Sequence, residues 1–299
     1  MKDSLFFLVF RSMRPKQWTK NLIIFAPLIF SQNFFQQSFI LKSLIAFATF
    51  CVLSGCVYIL NDLIDLEQDK MHPLKSIRPL ASGQLKPSIA IIFLIVLLVL
   101  SFGMAATFLN TPFIIAAAAY FLLQITYSLF LKHIVIIDVF SIAVGFLLRV
   151  AAGAEVIDMF ISTWLLFCTL LLSLFLALSK RRHELLLLED GAVHHRKILF
   201  EYSTELLDHM ISIVTTATVI AYILYTVSDQ TINKFGTDNL KYTVPFVLYG
   251  IFRYLYLIHL KNEGGSPEKV LLNDRPLLYC ILLYGLTVCF IIYFIGPRV

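Results

Sequence analysis

The chain has 299 residues, of which 59% are apolar and only 14% charged, with a formal net charge of +5 and a mean hydropathy of +0.83. A soluble protein carries about 25% charged residues, so this composition excludes a soluble globular fold and implies an integral membrane protein. The positive excess sits in loops between apolar stretches and calls for no nucleic-acid partner.

In chain order, residues 1–16 read as an amphipathic interfacial helix whose Arg11, Arg14 and Lys16 meet anionic headgroups. The apolar run from Leu5 to Phe10 is too short for a cleavable signal peptide. About 20 apolar residues cross a bilayer as a helix. Nine stretches qualify, near 21–37, 39–60, 88–108, 112–131, 134–153, 161–179, 206–228, 242–260 and 277–295. The first is the weakest, interrupted by Pro27 and by the polar run Ser31 to Asn33. None alternates as the ~10-residue strands of a closed barrel do. The expected fold is an all-α integral membrane protein, one transmembrane domain over 1–299.

If the N-terminus is cytoplasmic, 18 of the 24 Lys and Arg fall on the inner side, a bias that fixes orientation. The C-terminus is then outside. The inner loops 61–87, 180–205 and 261–276 carry most of the chemistry-capable side chains, so the site is expected at the cytoplasmic face. The five Cys (Cys51, Cys56, Cys168, Cys280, Cys289) lie in apolar stretches without a partnering His and read as small core residues.

The second span ends in Asn61-Asp62-Leu63-Ile64-Asp65-Leu66-Glu67-Gln68-Asp69. On a helix, Asp62, Asp65 and Asp69 are three and four residues apart and share a face. A lone carboxylate there is a solvated acidic cap. Three together repel unless a hard cation bridges them, and Mg2+ also favours diphosphate oxygens. In the loop that follows, Lys75 and Arg78 suit phosphate oxygens, Arg78 through its planar fork. Lys70 and Lys86 read as inner-side bias, and Pro73, Pro79 and Gly83 give the loop a defined path.

Further on, Lys180-Arg181-Arg182-His183-Glu184 is either a self-paired surface helix or a cationic wall for an additional phosphate. The adjacent His194 and His195 face different ways on a helix and do not read as a metal pair. Arg149 lies inside the fifth span, where a charge costs at least ~2.5 kcal/mol. Asp138, Ser141, Gly145, Arg149 and Gly153 form one small or polar stripe, which turns that face inward. The stripe serves close packing or a polar cavity around Arg149, and the cavity is the preferred reading. Tyr120, Gln124, Tyr127 and Ser128 line a similar face of the fourth span, and Ser54 and Tyr58 precede the carboxylates in the second. Arg253, among Phe252, Tyr254 and Tyr256, reads as a stacked structural arginine.

The Asn61–Asp69 motif, with Arg78-Pro79 and Gly83 after it, resembles the first Asp-rich motif of the UbiA superfamily of membrane prenyltransferases. The resemblance implies a nine-helix bundle that binds a diphosphate donor through Mg2+ held by Asp62, Asp65 and Asp69. In finer detail the chain is similar to the decaprenyl-phosphate phosphoribosyltransferase branch. The matching residues are Arg14-Pro15-Lys16-Gln17-Trp18-Thr19-Lys20-Asn21, Tyr127-Ser128, Leu131-Lys132, Gly145-Phe146 with Arg149, Ala152-Gly153, Lys180-Arg181 with Glu184-Leu185, and Gly265-Ser266-Pro267-Glu268 to Asp274-Arg275.

That branch transfers 5-phosphoribose from phosphoribosyl diphosphate to a polyprenyl phosphate. The expected phosphate contacts are Lys20 and Arg78 by motif and Arg149, Lys180 and Arg182 by placement; Asn61 is expected to orient a carboxylate or the ribose, and Lys75, Tyr127 and Glu184 complete the substrate set. Aromatic prenyltransferases carry a second Asp-rich motif where this chain has Lys180-Arg181-Arg182-His183-Glu184. A donor with a second phosphate answers that departure; transfer of a prenyl group to an aromatic acceptor is the alternative. Transport is disfavoured, because transporters place ionisable groups near the midplane of both halves. The resemblance also implies a homo-oligomer, with a trimer its suggested form, in the plasma (inner) membrane.

Overall fold

The computed structural model describes residues 4–73, 75–189, 197–261, 264–265 and 267–296. The described residues are helical, with no strand among them. In order the helices are α1 Leu5–Ser12, α2 Ala26–Ile29, α3 Gln37–Ile64, α4 Leu66–Met71, α5 Pro87–Phe108, α6 Thr111–Leu129, α7 Ile137–Glu155, α8 Thr163–Glu189, α9 Thr204–Val227, α10 Asp229–Phe235, α11 Val244–Leu260, α12 Pro267–Asn273 and α13 Arg275–Phe290. Eight helical segments among the described residues are long and apolar enough to cross a membrane.

The expected span 21–37 is not one of the eight. Pro15–Phe25 forms a 3-10 helix, α2 adds one short turn, and Ser31 and Asn33 bond to each other in a polar turn. Pro27 and the polar run break the register that a single spanning helix needs. Within the segment 1–16, expected to be an interfacial helix, Leu5–Ser12 is helical: α1 buries Leu8 and Val9 and exposes Leu5, Phe6, Phe7 and Phe10.

Boundaries follow local chemistry. The Asn110 side chain accepts from the Phe113 amide to cap α6, Ser203 caps α9 through Leu206, and Asp274 caps α13 through Leu277. Pro87, Pro112 and Pro276 occupy first-turn positions, where the missing N–H costs nothing. Hydroxyls inside the spans turn back onto their own helices: Thr49 donates to Ile45 O at 2.9 Å and Thr215 to Ile211 O at 2.8 Å.

The chain divides into two compact units. The first comprises 1–28, 34–141 and 148–160. Here α3 packs against α5, α6 and the 3-10 segment. Lipid is as apolar as leucine, so close packing rather than water exclusion holds such helices together. Two glycines permit it. A Cβ at Gly153 would meet Ile24 O at 2.2 Å, and one at Gly55 would meet Met13 Cε at 2.7 Å.

The second unit comprises 29–33, 142–147 and 161–299. Here α8 packs along α9, and α11 against α13 and α9. Its core holds Tyr222, Tyr225, Phe235, Leu240, Val288, Ile291 and Ile292. The Tyr222 and Thr243 hydroxyls lie 2.5 Å apart, which satisfies a polar pair inside the apolar cluster.

Candidate active site

The Asp-rich motif sits where α3 ends. Asp65, with φ −90° and ψ 11°, separates α3 from α4, although Asp65 N still donates to Asn61 O and Asp69 N to Asp65 O. The kink divides the carboxylates. Asp62 and Asp69 are buried and share Arg78, whose Nη1 lies 3.1 Å from Asp62 Oδ1 and also bonds Asp69 Oδ2. Asp65 instead accepts from Lys132 Nζ at 2.7 Å. The expectation that all three carboxylates point into one seat is therefore corrected to a pair plus one.

Cations enclose the pair. Arg14 bonds Asp62 Oδ1 and stacks over the Tyr58 ring at 4.8 Å, and Lys75 Nζ lies 3.8 Å from Asp69 Oδ1. Arg14 has φ +52° and ψ 65°, a left-handed backbone that costs a non-glycine residue about 1–2 kcal/mol. Met13, seated against Gly55, anchors that turn. The Arg78 loop is tied down as well: Ser82 N donates to Arg78 O at 2.8 Å, Leu85 N to Pro79 O at 2.8 Å, and Leu80 and Leu85 are buried. Gly83 takes the positive φ of +75° that this turn requires.

Among the described residues no three His, Cys, Asp or Glu side chains converge as a protein-only metal cage would. Mg2+ does not require one, because it is commonly held by one or two carboxylates and by substrate phosphates. The local donors fit that mode. Asp62 and Asp69 already bracket a positive charge, and Asn61 Oδ1 is buried without a hydrogen-bond partner. Asp62, Asp69 and Asn61 thus supply hard oxygens at one helix end.

Arg149 has a different setting from the expected phosphate contact. Its Nε donates to Asn21 Oδ1 at 2.8 Å, its Nη2 to the Tyr120 hydroxyl at 2.7 Å, and its guanidinium stacks on the Tyr120 ring at 4.5 Å. Asn21 Nδ2 donates in turn to Ser54 Oγ at 3.2 Å. The stripe is buried as expected, with Asp138, Ser141, Gly145, Arg149 and Gly153 all inside. Arg149 ties the 3-10 segment to α6 and α7, one turn from the Gly153–Ile24 contact, so the stripe combines close packing with a buried polar cluster around the guanidinium. Lys20 is half-buried on the 3-10 segment, and Tyr127 is half-buried near the end of α6.

In the second unit the basic stretch is paired internally. Arg181 is buried and donates to Glu184 Oε2 at 2.5 Å, with Lys180 Nζ 3.8 Å from the same carboxylate. Arg182 donates from Nε to Asp208 Oδ1 at 2.5 Å, with His259 Nε2 at 4.0 Å from that oxygen. Arg182 and Glu184 therefore join helix to helix and turn to turn, in the manner of the self-paired alternative. Arg253 stacks on Tyr256 at 4.9 Å and pairs with Asp274 at 2.8 Å, as a structural arginine should. The Arg253 hydrogen bond holds the Asp274 carboxyl below the usual range. His194 and His195 lie outside the described residues.

Sequence reasoning gave Lys132 and Asn21 no role beyond the motif match, and it assigned Arg14 to anionic headgroups, whereas Arg14 bonds Asp62. The available signal was modest: Lys132 is the lone basic residue of its short loop, and Arg14 precedes a proline in a left-handed turn. Their partners lie 67, 48 and 128 residues away in the chain.

The model of the UbiA prenyltransferase family matches residues 23–272. The chain is 31% identical over 297 residues to a decaprenyl-phosphate phosphoribosyltransferase of Mycolicibacterium smegmatis, covering 95% of this chain and 92% of that one. It is 32% identical over 297 residues to the Corynebacterium glutamicum protein of the same name, covering 95% and 86%. A UbiA homolog from Archaeoglobus fulgidus, solved with DMAPP and Mg2+, superposes with a TM-score of 0.70 at 19% identity, covering 94% and 98% of the two chains. Those likenesses and the helical membrane fold agree on one assignment: the chain is a multi-pass membrane transferase and belongs to the UbiA prenyltransferase family.

Proposed function

We propose that the protein transfers 5-phosphoribose from phosphoribosyl diphosphate to a polyprenyl phosphate, releasing diphosphate. The observation that carries this reading is similarity to two decaprenyl-phosphate phosphoribosyltransferases along nearly the whole chain. The charge arrangement in the first unit supports it. Two buried carboxylates are met by Arg14, Lys75 and Arg78, so the motif offers both cation-binding oxygens and anion-binding nitrogens.

When bound, Mg2+ would be held by Asp62, Asp69 and Asn61, and would neutralise charge on the departing diphosphate. Arg78 and Lys75 have half-exposed side chains and are placed to grip phosphate oxygens. Arg14 keeps Asp62 oriented through its stacked guanidinium. Asp65 and Lys132 form a neutral pair that fixes the kink between α3 and α4. The acceptor phosphate is anionic at neutral pH, so attack on the anomeric carbon needs no strong base. Positioning and electrostatics carry the rate. In this reading the N-terminus and the site face the cytoplasm and the acceptor's isoprenoid tail lies against lipid.

The test supplies purified protein with Mg2+, a polyprenyl phosphate and labelled phosphoribosyl diphosphate. Label in the organic phase that is lost with EDTA is the expected result. Transfer from a prenyl diphosphate to an aromatic acceptor instead would replace the donor assignment while leaving the fold intact.

A further inference from the structure

We infer that Arg78 is an exchangeable internal cation: its guanidinium occupies the seat between Asp62 and Asp69 and yields it only when diphosphate arrives with a divalent ion. The inference rests on the metal–diphosphate reading of this site and adds the order in which its charges are exchanged.

Asp62 has two guanidinium partners, and they are anchored differently. Arg14 is fixed by its left-handed backbone, by Met13 seated at Gly55, and by stacking on Tyr58. Arg78 also has a fixed backbone, through the hydrogen bonds of Ser82 and Leu85 and the buried Leu80 and Leu85. Its side chain is as exposed as that of Arg14, 25% against 26%, but its described polar contacts are to carboxylates alone, without the ring stacking that holds Arg14. Exchange is thus a rotation of one side chain about a pinned loop, with no segment to unfold.

Bare, Asp62 and Asp69 would be two buried like charges, which is costly. Arg78 relieves that cost in the free enzyme. Because it does so with the positive charge that a metal would bring, it opposes a metal that comes alone. Diphosphate changes the balance, since its oxygens offer the released guanidinium a bidentate partner of higher charge. Arg14 stays on Asp62, and Lys75 stays near Asp69. The consequence is positive coupling: metal and diphosphate each strengthen the other's binding, by the same factor in both directions.

The test is equilibrium dialysis of the full chain in detergent against Mn2+, with and without inorganic diphosphate, compared at equal free Mn2+. Wild type, Arg78→Gln and Arg78→Lys are measured, each checked for a monodisperse gel-filtration peak. In wild type, Mn2+ alone should bind weakly and diphosphate should tighten it by at least about tenfold, the scale of one partly screened charge. Arg78→Gln should bind Mn2+ alone about tenfold more tightly than wild type and lose most of the gain from diphosphate, again on that scale. Arg78→Lys keeps the charge without the fork, and should keep weak binding of Mn2+ alone with a reduced gain. If Arg78→Gln binds Mn2+ alone no better than wild type, the exchange is overturned while the metal site stands. If wild type binds no Mn2+ even with diphosphate, the metal reading and the exchange fall together.

Discussion

The end of α3 and the end of α8 both close an apolar helix with a run of charges, yet they bury opposite signs. At α3 the carboxylates are inside, with Asp62 and Asp69 at 2–3% exposure and Arg14 and Arg78 at 25–26%. At α8 it is the arginine that is inside, with Arg181 at 2% and Glu184 at 21%. A buried charge is committed to its partner, because leaving it alone is expensive. A half-exposed one can still meet a ligand. The α3 end therefore keeps guanidinium and ammonium groups available to an arriving anion, whereas the α8 end spends its arginines on holding helices in place.

The largest effect should come from the buried member of the first pair. Asp62→Asn removes the carboxylate that both Arg14 and Arg78 address, and turnover should fall by about 10²–10³, the range for losing one preorganised electrostatic contact. Asp65→Asn, which disturbs only the Lys132 pair, should lose less; equal losses in the label-transfer assay would restore Asp65 to the metal seat. Next, Arg181→Ala should destabilise the fold by about 3 kcal/mol, as removing one partner of a buried pair does. A thermal melt reads this, and an unchanged midpoint would break the contrast between the two ends.

Arg182→Ala should lower the melting point through loss of the Asp208 link while leaving donor and lipid KM alike. A donor KM that rises several-fold on its own would show that Arg182 leaves Asp208 for substrate. The smallest effect belongs to Asp274, where replacing the α13 cap by Ala should cost about 1 kcal/mol. Asp274's carboxyl is held low by Arg253, so its contribution is present above the unfolded carboxylate pKa of about 3.9 and is lost as pH falls through the lower folded value. The wild-type melting point should converge on that of Asp274→Ala in that acid range.

Much of this was legible in the chain. Hydropathy alone located eight of the spans, seven of them to within about four residues, because an apolar run bounded by Pro, Asn or Ser has one low-energy form in lipid. The sixth, expected over 161–179, runs on to Leu187 through its charged stretch. The stripe through Arg149 was legible because an unpaired intramembrane charge is costly enough to force it inward. The partners of Arg149 were not legible, since Asn21 and Tyr120 meet it from distant positions. The three carboxylates were visible as a motif, but i,i+3 and i,i+4 spacing describes an unbroken helix. The turn at Asp65 that sends one of them to Lys132 leaves no trace in composition. The first apolar run was misleading in the opposite sense: its hydropathy passed, and Pro27 with the 3-10 winding before it decided otherwise.

The five cysteines have a practical consequence. All are free, each lies within a spanning helix, and Cys51, Cys56 and Cys280 are buried. The native chain is therefore close to silent toward a bulky, membrane-impermeant maleimide. A single cysteine placed at Lys75 or at Lys234, on opposite sides of the expected topology, would give the dominant label. Intact cells that admit reagent to the second position and refuse it at the first would report directly which way the polypeptide is threaded.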